Sequence, residues 1–129
     1  MKFISTVALA FASLVAASPV TRDGGPTCEF NVVPKDAKYG VGAANQLTYG
    51  FLVKMSKSVP GTTISYTSSG GPRVTATNAD GTYTVTSGLT VDGKTFDEIS
   101  NIITETWPQT WVWEDGDPGY NWFINSATC

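Results

Sequence analysis

The chain has 129 residues, with eight Lys/Arg against eleven Asp/Glu and no histidine. A net charge of -3 argues against nucleic acid as a ligand, because phosphates demand a basic footprint. The missing imidazole excludes Ser-His and Cys-His nucleophilic pairs, histidine-driven ribonuclease chemistry and imidazole-bound zinc.

Residues 1–17 carry the pattern of a signal peptide. Lys2 supplies a positive start, Phe3 to Ala17 is apolar, and Val15, Ala16 and Ala17 place small residues before a cut expected after Ala17. No second apolar run of membrane length follows. The expected product is a secreted, extracellular chain of about 112 residues, one domain in size, with no membrane contact after cleavage. Residues 18–27 contain Pro and Gly without periodicity and read as a flexible arm; residues 28–129 form the domain. Cys28 and Cys129 are even in number and face an oxidising compartment, so a disulfide is expected. No Asn-x-Ser/Thr sequon occurs, and no N-linked glycan is expected.

Cys28 to Val33 reads as a strand, with Cys28, Phe30 and Val32 on one face and Glu29 and Asn31 on the other. Ala44 to Val59 reads as a helix, because Ala44, Leu47, Phe51, Leu52, Met55 and Val59 keep a 3.6-residue spacing. Lys54 and Lys57 stand near its C-terminus, where cations are favoured, and Pro60-Gly61 stops it. Gly40, Gly42 and Gly50 weaken this helix and leave a pair of strands as the alternative.

From Thr62 to Gly88 the chain is rich in Thr, Ser, Tyr and Val and reads as three strands. The turns fall at Ser69-Gly70-Gly71-Pro72 and at Asn78-Ala79-Asp80-Gly81. Val74, Ala76, Tyr83 and Val85 are expected toward a helix; the threonines at 75, 77, 82, 84 and 86 are expected toward water. The clearest helix lies within the stretch Thr90 to Trp107. Phe96, Ile99, Ile103 and Trp107 line one face, and Ile102 widens it. Thr95 and Glu98 have the spacing of a capping box, and Asp97 and Glu98 sit in the first turn. Pro108 ends it. Trp111 to Trp113, an acidic turn over Glu114, Asp115, Gly116 and Asp117, and Tyr120 to Ala127 form a closing hairpin.

The order β, α, β-β-β, α, β-β predicts an α+β domain. Two helices would lie on one antiparallel-rich sheet in a ferredoxin-like split-βαβ sandwich with an extra β-hairpin. In such a sheet the first strand pairs with the last, which brings Cys28 beside Cys129.

Carboxylates are the catalytic groups left once the thiols pair, and nothing in the spacing of Glu29, Glu98, Glu105, Glu114 and Asp115 singles out a glycosidase pair. The chain therefore reads as non-enzymatic, with no cofactor and no metal. The acidic turn lacks the twelve-residue calcium-loop pattern and reads as a hairpin turn. Seven carboxylates against Lys94 alone between residues 92 and 117 read as a solvated face; a docking surface for a basic partner is the sharper alternative.

Trp107, Trp111, Trp113 and Trp122 fall close together, with Tyr120 among them. Exposed, Trp111, Trp113, Tyr120 and Trp122 would form a platform for sugars or an anchor for a protein, flanked by Glu114, Asp115 and Asp117; buried, they are core. Burial is the favoured reading, with Trp107 the surest core member.

A short signal peptide, a small domain, few cysteines and no enzyme motif together resemble the small secreted effector proteins of filamentous fungi. The plan is similar to that of ferredoxin-like killer toxins of smut fungi and of one partner of paired xylem-secreted effectors. The resemblance implies a non-enzymatic protein that binds a host protein or a co-secreted effector in or around a host, as monomer or heterodimer, with translocation into the host as one destination. The competing expectation is a carbohydrate-binding module, or a small carboxylate-based glycosidase, using the Trp-rich hairpin.

Overall fold

The computed structural model describes residues 24–35, 46–68, 70–113 and 121–129. The elements run β1 (Thr27–Pro34), α1 (Gln46–Ser58), β2 (Ile64–Tyr66), β3 (Arg73–Thr77), β4 (Tyr83–Val91), α2 (Phe96–Thr106), β5 (Thr110–Trp111) and β6 (Trp122–Thr128). Among the described residues the fold is α+β, with two helices and one six-stranded sheet in the order β2-β4-β1-β6-β5; β3 also pairs with β4. Every pairing among the described residues is antiparallel. The expected leader and most of the expected arm lie outside the described residues. The arm's last residues follow the line of β1: Leu89 N donates to Pro26 O, and Gly25 and Pro26 are buried. A Cβ on Gly25 would lie 1.7 Å from Leu89 O, so this close backbone approach requires glycine.

Strand alternation sends Cys28, Phe30 and Val32 of β1 to one face, where both helices lie. Phe30 sits between them, with its ring 4.7 Å from Phe51 of α1 and 5.7 Å from Trp107 at the end of α2. Leu47, Phe51 and Met55 of α1 and Ile99 and Ile103 of α2 complete this core with Val85, Leu89, Val91, Trp122 and Ile124. Gly50, costly in an isolated helix, is buried where α1 meets the chain after β5; its Cβ would meet Val112 Cγ1 at 2.5 Å.

The capping box on α2 is complete. Glu98 N donates to Thr95 Oγ1 (3.1 Å) and Thr95 N donates to Glu98 Oε1 (2.8 Å). That bond from the Thr95 backbone holds the Glu98 carboxyl below its ordinary range. Phe96, expected on the apolar face, is 51% exposed. It is the first residue of α2, before the helix descends onto the sheet; Ile99, Ile103 and Trp107 make the contact. Thr90 and Val91 belong to β4, not to the helical stretch.

The register shifts between Val74 and Ala76, so Ala76 pairs with Thr84 and is exposed instead of sharing Val74's inward face. In the 78–82 turn, Asp80 Oδ1 accepts from Thr82 Oγ1 (2.6 Å) and Thr82 N (3.1 Å), which lowers the Asp80 pKa. Burial raises the Tyr66 phenol's pKa, and its hydroxyl donates to Thr48 O.

β1 and β6 are neighbours, and Cys28 and Cys129 are disulfide-bonded with their Cα atoms 4.1 Å apart. Among the described residues no helix is long and apolar enough to cross a membrane.

Candidate functional site

On the sheet face opposite the helices, alternation places Glu29, Asn31 and Val33 of β1. Asn31 lies opposite Thr84 on β4, and Glu29 opposite Thr86. The register between β1 and β6 shifts between Asn31 and Val32, which turns Asn125 toward Asn31. Asn125 Nδ2 donates to Asn31 Oδ1 (2.7 Å), and Asn31 Nδ2 donates to Thr82 Oγ1 (3.1 Å). Asn78 Nδ2 donates to Thr82 Oγ1 (3.0 Å) and Thr84 Oγ1 (3.3 Å). Gln109 Nε2 donates to Asn125 O (2.9 Å) and extends the chain of amides and hydroxyls past β6. Gln109 has φ 65°, a left-handed conformation uncommon outside glycine, and its N–H donates to Ile124 O.

An apolar row runs beside this polar ladder. Val33 pairs with Phe123, and Phe123 with Trp111, across β1, β6 and β5. All three are partly exposed. The Trp111 and Phe123 rings meet edge to face at 5.0 Å, and Lys35 Nζ lies 5.5 Å from the Trp111 ring centroid.

The four tryptophans are divided by the fold. Trp122 is fully buried and packs edge to face on Tyr83 at 5.7 Å. Trp107 is 1% exposed, in the ring cluster with Phe30 and Phe51. Trp113 lies against α1, 5.6 Å from Tyr49. Trp111 alone of the four stands beside Phe123 on the opposite face. The single face expected for Trp111 and Trp113 does not form, because β5 stops at Trp111 and its two-residue alternation goes no further. Trp122 precedes Phe123 in β6 and therefore points to the opposite side from Trp111. Tyr120, Glu114, Asp115 and Asp117 lie outside the described residues.

Three participants carried no readable signal in the sequence. Phe123 joins Trp111 through a register that only pairing defines. Asn121, buried, accepts from Trp113 N and Trp122 N and donates to Trp113 O, closing the hairpin from within. Lys54, expected near the C-terminus of α1 where the helix dipole favours a cation, is 7% exposed and donates from Nζ to Trp111 O at 2.8 Å.

The arrangement offers a sheet face with one aromatic patch, bordered by amides, hydroxyls and the Lys35 ammonium. Compared with known proteins, the chain matches no family model, no curated protein and no solved structure.

Proposed function

We propose that this is a secreted, non-enzymatic binding domain that engages a protein partner through the sheet face opposite its helices. The observation that carries the reading is the row Val33, Phe123 and Trp111, partly exposed and bordered by Asn31, Asn125 and Lys35. An aromatic centre with a polar rim is the anatomy of a protein interface whose binding energy sits in a few residues. The leader-like residues 1–17 and the disulfide support secretion. The resemblance to fungal effectors points to a host protein or a co-secreted chain as the partner.

The same reading takes the fold as a ferredoxin-like split-βαβ plan. Its support is the order β2-β4-β1-β6 with antiparallel neighbours. The chain passes from β1 through α1 to β2 with β4 between those strands, and from β4 through α2 to β6 with β1 between them. β3 and β5 are additions at the edges.

Capture from host extracts with immobilised wild-type protein and with Trp111→Ala tests the function. The expected outcome is a partner retained by the wild type and lost by the variant, with both proteins folded by circular dichroism. A partner retained equally by both would overturn the proposed surface. Neutral amides beside an aromatic pair favour a second reading, a carbohydrate ligand. Titration with chitin and glucan oligosaccharides separates the two, since a tryptophan fluorescence shift present in the wild type and absent in Trp111→Ala belongs to sugar binding.

A further inference from the structure

We propose that Lys54 is the positioning residue of the Trp111 patch, holding the indole in place by a hydrogen bond to the backbone of the residue that bears it. This rests on the reading of that patch as the binding surface. β5 has two residues and lies at the edge of the sheet, so its ladder restrains it weakly. Val112 N donates to Trp122 O, and antiparallel alternation then turns the N–H and C=O of Trp111 away from β6. Lys54 reaches this outward carbonyl from α1, with Nζ 2.8 Å from Trp111 O. The same ammonium lies 5.8 Å from the centroid of the buried Trp107 ring. Trp111 is thus held from the helix side through its backbone, and from the open side through Phe123 and Lys35.

A buried ammonium is costly to desolvate, and an apolar side chain of similar length would fill the space at lower cost. The bond to Trp111 O gives the charge a use that such a side chain lacks. Lys54 also borders a cleft of about 160 Å³ with Ser58, Thr106, Trp107 and Thr110. The three hydroxyls there donate to Lys54 O, Ile102 O and Trp107 O, carbonyls three or four residues earlier in the chain, so their protons are engaged locally instead of being presented to a ligand.

The test needs no ligand. Relaxation of the ¹⁵N-labelled indole N–H groups is compared between wild type and Lys54→Met. The Trp111 indole order parameter is expected to fall from about 0.85 to below about 0.6, while those of Trp107 and Trp122 stay rigid. A folded Lys54→Met with a rigid Trp111 indole overturns the proposal. Should that variant fail to fold, scalar coupling across the hydrogen bond from Lys54 Nζ to the Trp111 carbonyl carbon is measured in the wild type; its presence supports the proposal and its absence overturns it. Failure of Trp111→Ala to alter capture would overturn the binding surface and leave this arrangement standing, so the two ideas fail separately.

Discussion

Phe96 and Ile103 stand on the same helix with similar hydropathy and opposite fates. Ile103 is fully buried against the sheet, whereas Phe96 at the first helical position is half in water. Removing side-chain atoms matters in proportion to the contacts they leave. Ile103→Ala is therefore expected to cost about 2–5 kcal/mol. Phe96→Ala should stay within about 0.5 kcal/mol, in the range of surface changes. Urea unfolding of both variants checks this, and equal losses would contradict the burial pattern. Lys54 gives the converse lesson. Its place near a helix C-terminus suggested a cation stabilised by the dipole, but the side chain turns inward to a carbonyl of β5. Sequence position identifies the helix turn of a lysine; which neighbour it reaches depends on a segment 57 residues away.

At the scale of elements, local chemistry was the most legible part of the chain. The spacing of Thr95 and Glu98 specified both bonds of the α2 cap. Thr95→Ala should destabilise the fold by about 0.5–2 kcal/mol. The cap also has a pH signature. Glu98 titrates below its ordinary value of 4.5 because the Thr95 N–H stabilises the carboxylate. The contribution is present above 4.5 and is lost as pH falls through the lowered value. Glu98→Gln should remove that part of the acid dependence, so its stability should fall less than the wild type's between neutral and acidic pH in denaturant titrations. The strands were legible as existing, but less so in register. No residue pattern announced the shift between Val74 and Ala76, or the one at Asn31/Val32 that carries Asn125 to Asn31. A shift depends on how two distant strands meet, and neither strand encodes it alone.

Across the whole molecule, the disulfide joins residues 101 apart and fastens β1 to the end of β6. In the chain-entropy model a loop of this length stabilises by roughly 4–5 kcal/mol, and removing a native bridge from a small domain typically costs about 2–5 kcal/mol. Cys28→Ser is expected to lower the melting temperature accordingly, and an unchanged melting temperature would show that the bridge contributes nothing. Because β1 lies between β4 and β6, the bridge closes the sheet at the strand that carries Phe30 to the centre of the core.

The sequence by itself determined the order of the elements, the inward face of β1, the inward face of α2 apart from Phe96, the capping of α2 and the partnership of the two cysteines. Each follows from a period, a cap or a count that operates within a few residues, or from the only thiol available. The tertiary structure decided where the tryptophans went. Two are core, one leans on α1, and one stands beside Phe123 on the face away from the helices. A large aromatic is equally suited to core and to surface, and its side is set by strand length and pairing register, which arise only when segments far apart in the chain come together.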